Sequence, residues 1–84
     1  MASIAEKVKN ALLEKFSLDE LRLESIDNDK VMGFIVSNKF ENLDDETRQD
    51  IIWQILRKYL SAQERSNIIA LLALTQDEEM AYSS

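Results

Sequence analysis

Two clusters of acidic side chains are spaced closely enough to bind a metal ion or to act in acid–base catalysis. Asp27 and Asp29 lie two positions apart in a polar segment, and their hard carboxylate oxygens could coordinate Ca²⁺ or Mg²⁺. The glycine and the distal glutamate of an EF-hand loop are missing, however, and aspartate is a common turn residue. The pattern therefore favours an ordinary solvated turn over a metal site.

A second acidic cluster, Asp44-Asp45-Glu46, could provide a paired general acid and general base. The same cluster precedes a strongly helical segment, where negative charge is stabilised by the positive end of the helix dipole. This structural explanation is sufficient. We predict no catalytic residue in the chain and no enzymatic activity.

Residue types that support most catalytic and cofactor sites are missing from the chain. The 84 residues include no cysteine and no histidine, which excludes a thiolate nucleophile, a disulfide, an imidazole base and a zinc or iron–sulfur site built from this chain alone. The single glycine, Gly33, excludes a glycine-rich phosphate-binding loop and the GxxG loop of an RNA-binding KH domain. We therefore expect no cofactor and no bound metal.

The overall charge opposes binding to nucleic acids and anionic membranes. Sixteen acidic and ten basic residues give a formal net charge of −6. The basic residues are dispersed along the sequence, whereas a nucleic-acid interface concentrates them on one face.

The longest apolar run, 68–74, is too short to cross a bilayer, and no secretion signal is recognisable. We expect a cytoplasmic protein without a membrane or nucleic-acid partner.

Arg48 and Trp53 are the residues whose positions suggest contact with a partner. Arg48 falls on the apolar stripe of a predicted helix, where a charge needs a carboxylate partner or a route to water. A structural ion pair, or hydrogen bonds to loop carbonyls, is the favoured interpretation, and partner contact is the alternative. Trp53 lies at the edge of the same stripe, so it could anchor an interface or form the rim of the core.

The first half of the chain predicts one helix and a β-hairpin within a single small domain. A capping box, Ser3-Ile4-Ala5-Glu6, and an apolar stripe at helical spacing predict a helix over about residues 3–16. Apolar and polar residues alternate over 18–26, and an apolar run follows over 31–36. These two patterns predict two antiparallel strands joined by a polar turn. We predict that the second strand is central and covered on both faces, with Gly33 at a bulge or a close backbone contact.

A polar connection over residues 37–43 leads to the strongest helical pattern in the sequence. Phe40 is the buried aromatic residue of this connection. The helix begins at the acidic cluster, where side chains can cap its first turn. Its apolar stripe comprises Arg48, Ile51, Ile52, Ile55, Leu56, Tyr59 and Leu60.

The last quarter of the sequence is less clearly patterned. Residues 61–67 are predicted to form a loop or a frayed last turn. The apolar run 68–74 suits either an interior strand or a buried helix, and the need for a third strand beside the hairpin favours a strand. Residues 76–84 predict one helical turn and then disorder, so that residues 1–80 form the domain and 81–84 a disordered tail.

The predicted order helix, strand, strand, helix, strand is that of a KH-like α+β domain, and two short segments make the resemblance more specific. The segment Val36-Ser37-Asn38-Lys39-Phe40-Glu41-Asn42-Leu43, followed by Arg48, resembles the VS-x-x-F-x-x-L turn and the helix-opening arginine of the BolA family. Ile68-Ile69-Ala70-Leu71 is similar to the last strand of that family. The resemblance covers about residues 4–79. It implies that residues 68–74 form a strand in a three-stranded mixed sheet, with the helices packed on one face.

The chain departs from the BolA family at the positions that bind iron. BolA proteins are adaptors that bind monothiol glutaredoxins and share a [2Fe–2S] cluster with them, and some bind DNA. The resemblance places the histidine ligand of the last strand at Ile69, the helix histidine at Gln49, and the ligand-bearing hairpin loop at residues 27–30. Isoleucine has no donor atom for iron and glutamine is a poor donor, so we expect no cluster bound through these positions.

The resemblance and the missing catalytic groups together predict a non-enzymatic adaptor that acts by protein–protein contact. A monothiol glutaredoxin is the first partner to test. The residues predicted to contact a partner are Phe40, Arg48, Gln49, Trp53 and Ile69. Two alternatives remain open: a KH-like nucleic-acid-binding transcriptional regulator, and a structural domain that forms a homodimer through the strand over residues 68–74.

Overall fold

The computed structural model describes residues 3–83 and has an α+β fold. The four α-helices of this part of the chain are α1 (Ile4–Leu12), α2 (Asp45–Tyr59), α3 (Ala62–Arg65) and α4 (Gln76–Ser83). The strands are β1 (Leu21–Ile26), β2 (Lys30–Val36) and β3 (Ile68–Leu74). The predicted helix, strand, strand, helix, strand order is confirmed, with α3 and α4 added. Within residues 3–83, no helix has the length and apolar character required to cross a bilayer.

β2 is the central strand of a mixed three-stranded sheet. It pairs antiparallel with β1 and parallel with β3, so the order across the sheet is β1-β2-β3. The connection between the two parallel strands contains α2, as the geometry of a parallel pair requires. α1 and α2 pack on one face of the sheet, which we call the core face, and enclose the hydrophobic core there. The predicted mixed sheet is confirmed.

α1 is shorter than its apolar periodicity predicts. Ser3 is the N-cap, and its hydroxyl oxygen accepts a hydrogen bond from a first-turn backbone N–H at 3.2 Å. The regular helix ends at Leu12 and residues 13–15 form turns, yet Phe16 still reaches the core. Its ring packs against Phe40 with centroids 5.4 Å apart. The pattern of burial therefore extends one turn beyond the hydrogen-bonded helix.

A 3₁₀ turn over Asp27–Asp29 closes the predicted β-hairpin. Asp29 adopts a left-handed backbone conformation with φ of 58°, which aspartate tolerates better than most residues. Its carboxylate accepts a hydrogen bond from the backbone N–H of Ile4 at 3.1 Å. Asp29 thereby ties the hairpin turn to the first residue of α1.

Gly33 allows β1 and β2 to approach closely. A Cβ atom at this position would overlap the backbone carbonyl oxygen of Arg22 on the neighbouring strand. Close backbone contact was one of the two roles predicted for this glycine, and it is confirmed. The β-bulge lies elsewhere, where the pairing of β2 with β3 shifts between Val31 and Met32.

The prediction that β2 is covered on both faces is wrong. Val31 and Ile35 point to the core face and are completely buried. Met32 and Phe34 point to the opposite face, which we call the open face, and both are exposed. A central strand in this small sheet therefore has one buried and one partly exposed side.

α2 begins and packs as predicted. Asp44 is the N-cap, and its carboxylate accepts a hydrogen bond from the Thr47 backbone N–H at 2.8 Å. Hydrogen bonding from the Thr47 side chain, followed by this backbone bond, lowers the pKa of the Asp44 carboxyl. Most of the predicted stripe is buried, but Tyr59 is half exposed and its hydroxyl donates a hydrogen bond to the Glu14 carboxylate.

Residues 61–67 contain the short helix α3 rather than the predicted loop or frayed last turn of α2. Ser61 and Glu64 form a capping box, in which the serine hydroxyl accepts from the Glu64 N–H and the Glu64 carboxylate accepts from the Ser61 N–H. The same glutamate forms an ion pair with Lys7 of α1. This contact holds α3 against the first helix.

α4 is longer than the single turn that the sequence predicts. The N–H of Thr75 donates to the Glu78 carboxylate at 2.8 Å, and the N–H of Glu78 donates to the Thr75 hydroxyl at 3.2 Å, so the two residues cap the start of the helix. Residues 81–83, predicted to belong to a disordered tail, continue the helix. Ser84 lies outside the described residues.

Candidate partner-binding surface

The Arg48 side chain joins α2, β3 and α4. Its Nε donates a hydrogen bond to the carbonyl of Leu43 at 2.9 Å, and Nη1 donates to the carbonyl of Ala73 at 3.0 Å. The two terminal nitrogens also form a bidentate ion pair with Glu78, at 2.6 and 3.3 Å. Its Cζ lies 5.8 Å from the centroid of the Phe40 ring. Arg48 is only 6% exposed, which agrees with the favoured structural interpretation of this residue.

The ion pair with Arg48 also determines the charge state of Glu78. Hydrogen bonds from the guanidinium, followed by the bond from the Thr75 backbone N–H, lower the pKa of the Glu78 carboxyl. The ionised carboxylate of α4 therefore compensates the buried charge of α2. This contact fixes the start of α4 against the end of the sheet.

Side chains of α2 cap two outward-facing carbonyls of β3. The Ser37 N–H donates at 2.8 Å to the carbonyl of the last residue of β3, so the alternation of backbone directions turns the carbonyls of Leu71 and Ala73 away from β2. Gln49 Nε2 donates to the Leu71 carbonyl at 2.8 Å, and Arg48 donates to the Ala73 carbonyl. A strand edge whose carbonyls are occupied is a poorer template for pairing with a second chain.

Trp53 extends the same network towards the start of β3. Its Nε1 donates to the Gln49 side-chain oxygen at 3.0 Å, and its partly buried ring packs against the core. Successive residues of α2 reach earlier residues of β3, from Ala73 back to Leu71. Trp53 therefore lies one helical turn beyond the residue that binds Leu71.

Ile69 is the extra residue of the β-bulge in β3. In the pairing with β2, Ile68 lies opposite Val31 and Ala70 lies opposite Met32, so Ile69 has no opposing residue. Its side chain is 57% exposed. The bulge therefore presents a large apolar side chain to solvent at the end of the sheet that also carries the hairpin turn.

The structure places the five predicted contact residues at two ends of β3. Ile69 lies near its start, whereas Phe40 and Arg48 lie near its end. Gln49 binds the middle of the strand, and Trp53 is hydrogen-bonded to Gln49. Phe40 is 1% exposed and Arg48 is bonded internally, so neither side chain offers a contact surface. We define the bulge surface as Ile69, Trp53 and Gln49.

The residues at the BolA ligand positions do not fit a [2Fe–2S] cluster. The Ile69 side chain is a hydrocarbon, and the Gln49 amide already donates to β3 and accepts from Trp53. The hairpin turn contributes Asp27 and Asp29, which are hard oxygen donors. Within the described residues 3–83, no group of three or more His, Cys, Asp or Glu side chains is arranged to hold a metal ion.

An apolar surface that the sequence did not reveal lies on the open face of the sheet. Met32 and Phe34 of β2 and Leu72 of β3 lie side by side there, each between 36% and 45% exposed. α4 covers only the end of this face, where Val36 and Leu74 are buried. The polar alternation that usually marks an exposed face is missing, because β3 is apolar at every position.

Ion pairs compensate half of the basic charge. Five of the ten basic residues are paired with carboxylates in the described part of the chain, at distances up to 3.8 Å. These residues are Lys7, Arg22, Lys39, Arg48 and Lys58. The positive charges of these five residues are therefore locally balanced, and the surface keeps the acidic character of the whole sequence.

Comparison with solved structures identifies a protein of similar fold. The chain is similar to BolA1 from Arabidopsis thaliana, with a TM-score of 0.61 and 20% sequence identity over 89% of this chain and 92% of that chain. No protein-family model and no curated protein sequence matches the chain. The protein therefore has a BolA-like fold, as its sequence predicted. At this identity the similarity establishes the fold, and function must be argued from the site.

Proposed function

We propose that the protein is a non-enzymatic adaptor that acts by contact with another protein through the bulge surface. The observation that carries this proposal is the exposed isoleucine of the bulge, a large apolar side chain that the sheet presents to solvent. Large apolar and aromatic side chains of this kind are typical anchors of protein interfaces. The BolA-like fold supports a regulatory role rather than a catalytic one.

A monothiol glutaredoxin is the partner that the BolA resemblance favours. Because Ile69 replaces the family's histidine ligand, we expect the two proteins to associate by apolar packing rather than through a shared cluster. The complex should therefore form with glutaredoxin that carries no cluster. Addition of this protein to cluster-loaded glutaredoxin should leave the visible absorption of the cluster unchanged.

Isothermal titration calorimetry with purified, cluster-free monothiol glutaredoxin tests the contact directly. We expect Ile69→Asp to weaken binding about tenfold or more, because it places a charge where an apolar anchor is buried in the complex. Leu18→Asp is the matched control, since Leu18 is also an exposed aliphatic residue but lies in the 3₁₀ turn before β1, beyond the opposite end of the sheet. The control should bind like the natural sequence.

Three outcomes would contradict the proposal. Equal losses for Ile69→Asp and Leu18→Asp would show that the bulge surface is not the contact. Failure to bind either form of glutaredoxin would remove this partner. A change in the cluster's absorption that depends on Ile69 being intact would refute association without a shared cluster.

A further inference from the structure

We propose that the open face of the sheet is a second binding surface, which accepts a positively charged amphipathic helix of a partner protein. This inference rests on the proposed role of the protein as an adaptor, but not on the identity of its first partner. The bulge surface lies at one end of the sheet and along one edge, whereas the open face is the broad side opposite the core. An adaptor could therefore occupy both surfaces at once.

The open face has the side chains of an interface rather than those of a solvated sheet. Met32 and Phe34 of β2 and Leu72 of β3 form an apolar patch on two neighbouring parallel strands, whereas β1 presents the polar Arg22 and Glu24 to the same face. Methionine and aromatic residues are enriched in interfaces, and methionine adapts its shape to different partners. A contiguous apolar patch of this kind on a small protein indicates an interaction site.

The dimensions of the open face match a single helix. Three strands about 4.8 Å apart give a face about 10 Å across, which is close to the diameter of an α-helix with its side chains. α4 closes one end of this face, where Phe34, Leu74, Glu79 and Tyr82 line a groove. A second groove, lined by Glu24, Met32 and Phe34 among others, continues along the strands. Phe34 lines both, so the two grooves adjoin each other along the open face, and we call them together the path.

The charges beside this path favour a basic partner. Glu24 of β1 is exposed next to Met32 and has no ion-pair partner in the part of the chain that the structure describes. Arg22 is the nearest base of β1, and its charge is already compensated by Glu79 of α4 at 3.1 Å. The whole chain has a net charge of −6. Lysine or arginine flanking an apolar stripe would complement this surface.

The same charges argue against a second copy of this chain as the occupant. Two open faces packed against each other would bring acidic residues together, including Glu24 of both copies, within an apolar contact. An added β-strand is also disfavoured at the outer edge of β3, because Gln49 and Arg48 occupy its carbonyls. A helix lying across the face avoids both difficulties.

A nuclear magnetic resonance titration of the full, isotope-labelled chain tests this surface. The probe is a synthetic peptide of about 14 residues, or about four turns, with leucines on one helical face and lysines on the other, added at about 150 mM salt. We expect amide shifts to change in residues 22–24, 32–34, 70–72 and 79–82. A peptide with glutamate in place of each lysine should bind at least about tenfold more weakly.

Two variants separate apolar from electrostatic recognition. Leu72→Gln should weaken binding of the lysine peptide several-fold, whereas Leu13→Gln, the same change at an exposed position after α1, should not. Glu24→Lys should weaken binding of the lysine peptide and strengthen binding of the glutamate peptide. Because Glu24 is exposed, this second variant keeps the test valid even if Leu72→Gln does not fold.

Several results would overturn the inference. The inference is wrong if the amide shift changes are confined to other acidic surfaces. It is also wrong if the two peptides bind equally, or if Leu72→Gln and Leu13→Gln have equal effects on binding. Concentration-dependent dimerisation through the open face would assign that face to a second copy instead. Ile69→Asp should leave peptide binding intact, so failure here is distinguishable from failure of the bulge surface.

Discussion

The two faces of the β-sheet are built from similar apolar residues but have different surroundings. Val31 and Ile35 on the core face are sealed by α1 and α2, both of which have a continuous apolar stripe. Met32 and Phe34 alternate with them along β2, yet remain exposed on the open face. The difference arises from the helices, because α4 is short, carries three acidic residues in its first turn and covers only one end of that face.

This contrast shows why strand composition alone does not identify a binding surface. A sheet buries a face only where another element offers an apolar side to pack against it. In this protein two amphipathic helices are enough for one face. The other face keeps its apolar residues without a complete cover, which is the condition expected of a surface that meets a partner.

The sharpest test of this contrast compares adjacent residues of β2. Ile35→Ala should lower the free energy of unfolding by about 3 kcal/mol, because it leaves a cavity among completely buried side chains. Phe34→Ala removes a larger side chain but should cost less, about 1–2 kcal/mol, since 36% of that residue is already exposed and no closed cavity is left. Urea unfolding of both variants measures the two costs. Equal costs would show that the open face belongs to the folding core.

A second test concerns the outer edge of β3, where the core face and the open face meet, and compares the adjacent residues Arg48 and Gln49. Arg48→Met should lower the free energy of unfolding by about 2 kcal/mol, because it leaves the carbonyls of Leu43 and Ala73 without donors and removes a buried anchor of α2. Gln49→Met removes one hydrogen bond to β3 and should cost about 1 kcal/mol. Thermal unfolding of the two variants measures both losses of stability. A larger loss of stability for Gln49→Met than for Arg48→Met would contradict the central role of Arg48.

The parts of the fold that could be predicted are those with local signals. The start of α2 follows from the Asp44 cap, and the core side of each helix follows from the spacing of its apolar residues. The BolA-like arrangement follows from the segment 36–43 with Arg48. α3 also had a local signal, since Ser61 and Glu64 have capping-box spacing, but no apolar stripe follows it.

The remaining features depend on contacts between distant residues, which a single sequence does not reveal. α4 lacks an apolar stripe, and its docking depends on the bond between Glu78 and Arg48, 30 positions apart. The exposure of Ile69 results from the bulge, which is set by the pairing of β3 with β2. The open face was missed because its exposure depends on how many helices are available to cover it, and α4 was predicted to be one turn.

The last prediction tests whether acid loosens the partial cover of the open face before it affects the core face. The ionised Glu78 carboxylate is stabilised by Arg48, so its pKa is lowered in the folded protein. A group with a lowered pKa contributes its full stability above its usual value of 4.5 and loses it as the pH falls through the lowered value. The protection factors of the α4 amides, which correct for the slower intrinsic exchange at acid pH, should therefore fall as the pH drops below 4.5.

The ion pair between Lys7 and Glu64 on the helical side of the sheet provides the internal control. The hydrogen bond from Lys7, followed by the bond from the Ser61 N–H, lowers the pKa of Glu64 to about 2. The contact between α1 and α3 should therefore persist until the pH approaches that value. If α4 and the Lys7–Glu64 contact loosen together with the core amides, then α4 is an integral part of the fold. Earlier loosening of α4 alone would mean that the open face becomes more accessible while the opposite face stays sealed.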